Sequence, residues 1–158
     1  MDLLHYFQRL FDYDAWGNRQ ALASIGSVTS QTERPLKFLG HIIGAQQIWL
    51  ARLEQKDPSV LQPWPALSLD ECQAAIDELS QRWKKFLQGL TSEQFSQDLI
   101  YRNTQGTEFR TPLVDVLQHL VMHSAYHRGQ LAAAIREAGG KPAPTDYVVY
   151  VRQLPQRL

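Results

Sequence analysis

Three histidines follow one another at intervals of four in the stretch VLQHLVMHSAYHRGQL, residues 116–131. They are His119, His123 and His127, and the whole chain contains 5 histidines. In a helix, four residues advance about 40° around the axis and about 6 Å along it, so neighbours in this series share one face. Because neutral imidazole is a common metal ligand, this spacing predicts a metal site on a helix.

One ion cannot easily bind all three. His119 and His127 would lie about 12 Å apart along the axis, whereas Zn–N bonds are about 2.0–2.1 Å long. We therefore expect one adjacent pair to bind, with a further ligand from another helix. His41 is the expected supplier, since it lies at the edge of an apolar helical face, and His5 is a poorer candidate. Three imidazoles would leave at least one coordination position for water, as in catalytic sites.

A plainer interpretation is that these histidines only satisfy hydrogen bonds inside the protein. Three imidazoles on one buried stripe favour metal binding, because each is costly to leave unpaired. The stretch reads His-Ser-Ala-Tyr-His, so it lacks the glutamate of His-Glu-x-x-His, and the repeated Glu-x-x-His of di-iron bundles is absent from the sequence. The pattern predicts one metal ion bound mainly by nitrogen.

The composition predicts a single domain, residues 1–158. Lys and Arg number 16 and Asp and Glu number 16, so the net charge is +0, which argues against binding to nucleic acid or an anionic membrane. The lone Cys72 excludes an internal disulfide and a multi-cysteine zinc site. The first residues, MDLLHYFQRL, contain no uninterrupted apolar run, so we expect a cytoplasmic protein whose partners are small molecules.

Four helices must position the histidines. Apolar residues at helical spacing predict them over about 2–25, 35–55, 68–89 and 111–139. Ser68 and Glu71 have capping-box spacing at the third start, and the fourth is expected to begin with Thr111 as its cap and Pro112 as its first helical residue. This pattern predicts an all-α four-helix bundle.

Three segments connect or follow these helices. A long connection over residues 57–67 contains Pro58, Pro63 and Pro65. Two β-prone runs around NTQG predict a small hairpin over residues 98–111, between helices three and four. The tail KPAPTDYVVYVRQLPQRL alternates apolar residues after its prolines, so we expect an extended arm or a short strand there.

With these features the sequence resembles the DinB/YfiT-like family of metal-dependent proteins along its whole length. The resemblance is carried by FDYDAWGNRQAL, LGHIIGAQQIWLARL, YRNTQGTEFRTPLVDVLQH leading into LVMHSAYHRGQL, and GGKPAPTDYVVYVR. It implies an up-down-down-up bundle, commonly a homodimer, with one divalent metal ion, nickel or zinc. By position, His41, His123 and His127 match the family's metal ligands, and His119 matches a position that either supports a ligand or packs.

The resemblance also implies a reaction. Some family members transfer a low-molecular-weight thiol, such as bacillithiol, mycothiol or a glutathione-type thiol, onto an electrophile, which would make this chain an S-transferase with a thiol cosubstrate or a related detoxification enzyme. The alternatives are a non-catalytic metal-binding, stress-associated bundle and a purely structural interaction module. The enzyme is expected to bind metal and to react, the metal-binding bundle to bind metal without reacting, and the structural module to bind no metal.

Four further residues receive predictions. Asp14 replaces the asparagine of relatives on the apolar side of helix one, where it could orient a ligand or accept a proton, or only brace a neighbouring helix. Gln130 lies about 20° from His123 on the helical wheel and could direct its amide at a ligand, or bond between helices. We expect Arg128 at the surface, as an ion-pairing or interface group, and Gly129 at a close-packing position.

Overall fold

In the computed structural model, which describes residues 2–103 and 105–155, four long helices form a bundle with a two-stranded hairpin between the third and fourth. The elements are α1 Leu3–Gly26, α2 Glu33–Leu53, α3 Leu69–Gln88, a 3₁₀ helix Ser92–Ser96, β1 Asp98–Arg102, β2 Glu108–Pro112, α4 Leu113–Glu137 and α5 Tyr147–Val151. Within those residues, no helix combines the length and apolar character that a membrane crossing requires.

Contacts between side chains give the direction of α3 relative to α1. Phe11 packs against Trp83 with ring centroids 4.5 Å apart, whereas Arg19, two turns farther along α1, pairs with Asp77. The partner moves backward along α3 as the contact moves forward along α1. The two helices are therefore antiparallel.

The direction of α4 follows in the same way. The rings of His41 and His127 lie 4.5 Å apart, and Trp49 and His119 lie 5.8 Å apart, so α4 runs opposite to α2. On the other side of α4, Asp14 of α1 pairs with Arg128, and Ser24 accepts a bond from Ala143, just beyond the end of α4, so α4 runs parallel to α1. The predicted up-down-down-up bundle is confirmed.

The start of α3 matches its sequence signal. The Ser68 hydroxyl accepts a bond from the Glu71 amide at 3.2 Å, and the Glu71 carboxylate accepts one from the Ser68 amide at 2.8 Å. This reciprocal pair satisfies two donors that a helix N-terminus would otherwise leave open. The predicted capping box is confirmed.

The predicted start of α4 is wrong. Pro112 is paired with Asp98 and Thr111 with Leu99 as the last two residues of β2, so Pro112 flanks the helix rather than forming its first turn. Its ψ of 140° is extended, and Leu113 is the first helical residue. The strand pairing overrides the preference of proline for a first helical position.

The tail also differs from its prediction, because residues 147–151 form the short helix α5. Tyr147 and Tyr150, three residues apart, share one helical face and pack on α1. Their ring centroids lie 5.1 Å from Tyr13 and 5.6 Å from Trp16, respectively. The only sheet among the described residues is the hairpin of β1 and β2, so packing on α1 determines the tail conformation.

Candidate metal centre

The structure brings together the three histidines that match the family's ligands. His41 lies on α2, and His123 and His127 lie one turn apart on α4. One ring nitrogen from each lies within 4.8 Å of the other two. The Nε2 atoms of His41 and His123 are 3.1 Å apart. The antiparallel packing of α2 and α4 therefore builds a compact group of three imidazoles from two helices.

Two of the three rings are held by acceptors at Nδ1. His41 Nδ1 lies 2.7 Å from the carbonyl oxygen of Pro63, and His127 Nδ1 lies 2.6 Å from Oε1 of Gln130. Since both partners are acceptors, each Nδ1 carries the proton and donates, which leaves the lone pair on Nε2. Metal-binding histidines in proteins are typically fixed in this way.

Two glycines of α2 let the proline-rich connection approach His41. A Cβ added at Gly40 would lie 2.6 Å from the carbonyl oxygen of Pro65, and one added at Gly44 would lie 2.5 Å from that of Gln62. No real side chain tolerates such a distance from backbone. The glycines therefore allow the close contact that brings the Pro63 carbonyl to His41.

Sequence reasoning missed this supporting segment. Glycines in the interior of a helix are unfavourable unless something packs closely against them, and the stretch LGHIIG places one on each side of His41. That pattern was an available signal for a packed segment. Nothing local in residues 57–67 indicated that their carbonyl groups would meet this helix.

Trp64 forms an aromatic wall beside the site. Its ring lies parallel to that of His41, with centroids 3.7 Å apart and an interplanar angle of 7°. The Trp64 residue is 43 % exposed. The histidine group is therefore flanked on one side by an aromatic surface that a ligand from solvent can reach.

Burial favours neutral imidazoles at this centre. Desolvation lowers the pKa of His123 to about 4, with a smaller contribution from the neighbouring His127 and His41. Desolvation is also the main cause that lowers the pKa of His41. Only neutral imidazole offers a lone pair to a cation, so near neutral pH His41 and His123 are in the form that binds metal.

His119 lies outside the group of three. Its ring packs against Trp49 at 5.8 Å and against His123 at 5.5 Å, centroid to centroid, and the residue is exposed. The role that the resemblance implies for His119 stays a prediction. The rings of His119 and Trp49 form a row that leads away from the three histidines.

Asp14 lies in a buried polar network rather than against the histidines. Its carboxylate pairs with the Arg128 guanidinium at 2.6 Å and accepts bonds from the Asn18 amide, at 3.1 Å, and from the Gln46 amide. Asp14 is 2 % exposed. The structure therefore places Asp14 as a brace between α1, α2 and α4, and its role in chemistry stays a prediction.

The surface position predicted for Arg128 is wrong, since this residue is 2 % exposed. The helical-wheel prediction assumed that α4 has a single buried face, which carries the histidines and packs on α2. In the bundle α4 packs on both α1 and α2, and Arg128 faces α1. A buried charge requires a partner, which Asp14 supplies.

The glycine prediction is corrected together with Arg128. A Cβ at Gly129 would meet nothing within 4 Å, so Gly129 is not a close-packing position. A Cβ at Gly17 of α1 would lie 3.0 Å from Cζ and Nε of Arg128. The glycine that admits the guanidinium is therefore on α1.

Gln46 of α2 connects this network to α3 and makes a second contact with α4. Its amide nitrogen lies 3.3 Å from the Ser124 hydroxyl on α4, and its Oε1 accepts a bond from Trp83 Nε1 on α3 at 3.2 Å. Ser124 and Arg128 directly follow His123 and His127 in the chain. The network therefore fixes the rotation and height of α4 beneath the histidine group.

The donor set fits a divalent metal ion of the zinc or nickel type. Three nitrogen donors converge, two of them have their tautomers fixed by neighbours, and imidazole suits Zn²⁺ and Ni²⁺. Three imidazoles would leave at least one position of a four-coordinate ion open to an exogenous ligand.

The fold and the site describe a helical bundle with a histidine group shared by α2 and α4. The family model described as "DinB family" matches residues 26–157, and the chain belongs to that family. Protein DinB of Bacillus subtilis (strain 168) is a distant relative. It is 26 % identical over 160 residues, which cover 90 % of this chain and 92 % of that protein.

Proposed function

We propose that this protein is a divalent-metal-dependent enzyme that transfers a low-molecular-weight thiol onto an electrophilic small molecule. The observation that carries the proposal is the convergence of three histidine nitrogens within 4.8 Å. The side of the group bounded by Trp64 can admit ligands from solvent. Nickel or zinc is the proposed metal, because both accept three imidazole ligands.

The thiol must come from a second molecule. Cys72, the only cysteine of the sequence, is 0 % exposed, and burial raises the pKa of its thiol to about 11. A buried neutral thiol is a poor nucleophile. The protein's own cysteine is therefore unsuited to the reaction.

Each histidine has a defined part in this mechanism. His41, His123 and His127 would hold the cation, while Pro63 and Gln130 keep the first and last of these rings oriented. A bound divalent cation lowers the pKa of a thiol, so that thiolate is present at neutral pH. The thiol proton passes to solvent, the sulfur forms a bond to the electrophilic carbon, and the leaving group departs with its electron pair.

The metal part of the proposal is tested by elemental analysis of the untagged protein and of His41→Ala, His123→Ala and His127→Ala. We expect about one nickel or zinc ion per chain in the wild type and a substoichiometric amount in each variant. His119→Ala is the matched control, since it removes an imidazole from the same helix face and should retain the metal. A metal content unchanged in the three variants would overturn the assignment of ligands.

The catalytic part is tested by single-turnover assays with the metal-loaded protein, a panel of cellular thiols and a model electrophile such as monobromobimane. We expect conjugation faster than in the metal-free protein and lost in His123→Ala. Stoichiometric metal with no acceleration by any thiol would instead support a non-catalytic metal-binding protein.

We propose in addition that the protein is a homodimer. Met122 and Tyr126, one turn apart on α4, are 63 % and 66 % exposed. Large apolar side chains exposed side by side are typical of surfaces that bury themselves against another chain. The outer face of α4 is therefore the proposed contact surface.

A further inference from the structure

A groove of about 890 Å³ lies between the C-terminal end of α2, the connection that follows it, and β1. Its lining includes Ile48 and Arg52 of α2, Pro63, and Tyr101 and Arg102 of β1. This volume is sufficient for a small organic molecule.

The groove adjoins the histidine group through two sets of contacts. Pro63, which lines it, is the residue whose carbonyl oxygen binds His41. A row of rings also leads there: His123 lies 5.5 Å from His119, His119 lies 5.8 Å from Trp49, and Trp49 lies 4.8 Å from Tyr101. This row of contacts therefore joins the histidine group to Tyr101 in the groove wall.

Arg52 lies at the end of that row with its charge uncompensated. Its guanidinium carbon is 4.7 Å from the Trp49 ring centroid and 5.0 Å from that of Tyr101, and Nη2 donates to the carbonyl oxygen of Arg102 at 3.1 Å. Among residues 2–103 and 105–155, no carboxylate forms an ion pair with it. Its Nε is buried without a hydrogen-bond partner.

The other charges of the groove are occupied or exposed. Arg102 pairs with Glu108 at 3.1 Å, and Lys56 pairs with Glu54 at 2.6 Å. Asp57 accepts bonds from Ser59. The remaining acid, Asp98, is exposed at the start of β1, where water and salt screen its charge. Arg52 is therefore the cation that can receive an anion from a ligand.

We infer that this groove binds the carboxylate end of the thiol substrate, with Arg52 as its recognition residue and the sulfur directed at the three histidines. A planar guanidinium held against two aromatic rings can receive a carboxylate with little loss of side-chain entropy. Arg52 offers one positive charge, which matches a carboxylate rather than a dianionic phosphate. The inference rests on the proposed function, because it names the class of thiol that the same site would use.

The test compares two thiols that are long enough to reach from the histidines to Arg52 and that differ in the charge of one end, glutathione and its glycinamide analogue. Their dissociation constants are measured by calorimetry on the metal-loaded protein. We expect the acid to bind about tenfold or more tightly than the amide, as a charged hydrogen bond predicts. Arg52→Gln should abolish this preference, and Arg52→Lys, which keeps the charge without the fork, should retain part of it.

Arg34→Gln is the matched control, since it removes a guanidinium of the same helix whose partner is Glu137, outside the groove. It should leave the preference for the acid unchanged. Equal affinity for the two thiols in the wild type, binding of neither, or a preference that survives in Arg52→Gln would overturn the inference.

These outcomes are separable from failure of the proposed function. A protein that conjugates acid and amide equally well overturns the inference and leaves thiol transfer standing. A protein that prefers the acid through Arg52 yet accelerates no conjugation supports the inference and overturns thiol transfer.

Discussion

Gln130 supports a proposed metal ligand without belonging to the ligand set. Its Oε1 holds His127 Nδ1 at 2.6 Å, and loss of such a partner commonly costs about 10–100-fold in metal affinity. We expect Gln130→Ala to weaken zinc binding by about this factor in a competition assay with a chromogenic chelator. Gln130→Glu, which keeps an acceptor, should retain most of the affinity, and equal affinity of all three proteins would contradict the role.

The buried pair of Asp14 and Arg128 gives a prediction about stability. The two side chains are 3 % and 1 % exposed, so Asp14→Asn leaves a guanidinium in the core without a counter-charge. We expect a loss of about 3–5 kcal/mol in the free energy of unfolding by urea. The double variant Asp14→Leu, Arg128→Met should regain much of this loss, because it removes both charges. An Asp14→Asn variant as stable as the wild type would show that the ion pair does not stabilise the fold.

Acidification of the metal-free protein should destabilise it through His123. Its pKa is about 4 in the folded protein, below the ordinary value of 6.5. Between these values the unfolded chain binds more protons than the folded chain, so the free energy of unfolding falls as the pH falls through this window. The lowered pKa values of His41 and His119 act in the same direction.

The measurement is a series of urea titrations in the presence of chelator, from about pH 7.5 to about pH 4. His123→Gln should show a shallower loss of stability with falling pH than the wild type. Parallel curves for the two proteins would contradict the assignment.

At the scale of single residues, the grouping of His41, His123 and His127 could be predicted from the sequence, because spacing and resemblance both depend on residue types. The position of Arg128 could not be predicted from one helical wheel, since a wheel does not show that two helices pack on opposite sides of α4. The acceptor of His41 is the backbone carbonyl of Pro63, a group that every residue possesses. Its role depends on where the chain runs and not on which residues the chain contains.

At the scale of the elements, a substitution at Gly44 tests whether the connection between α2 and α3 supports His41. A methyl group at Gly44 would lie 2.5 Å from the Gln62 carbonyl and 2.8 Å from Pro65 Cδ, so Gly44→Ala must displace residues 62–65. We expect a lower melting temperature and weaker zinc binding, because the acceptor of His41 Nδ1 moves with the segment.

Gly129→Ala is the matched control on α4. A Cβ there meets nothing within 4 Å, and alanine is the better helix former, so we expect a gain of about 0.5–1 kcal/mol in stability. Zinc affinity should be unchanged. Equal effects of the two substitutions would show that the close contact at α2 is unimportant.

The elements themselves were largely predictable, because apolar periodicity and capping residues act locally. The capping box of Ser68 and Glu71 is an example. The errors at Pro112 and over residues 147–151 have another cause, since each segment could adopt two local structures. Pairing with β1 decided the first, and packing of Tyr147 and Tyr150 on α1 decided the second.

At the scale of the whole molecule, the proposed homodimer predicts that Met122→Glu with Tyr126→Glu lowers the mass measured by light scattering from that of a dimer to that of a monomer. Charged groups in an apolar contact would remain unpaired, which is costly. Val60→Glu is the matched control, since Val60 is 86 % exposed but lies on the connection after α2. A monomeric wild type, or a doubly substituted dimer, would refute the proposal.

The two Nδ1 acceptors of this site differ in what a substitution can remove. Gln130 acts through its side chain, so a mutational scan would detect it directly. Pro63 acts through its main chain, and every replacement there retains a carbonyl group. Substitutions at Gly40 and Gly44 are therefore the ones that can displace the acceptor of His41, although neither glycine has a side chain that contacts the imidazole. A scan of this protein would assign these glycines to folding, although the tautomer of a proposed metal ligand depends on them.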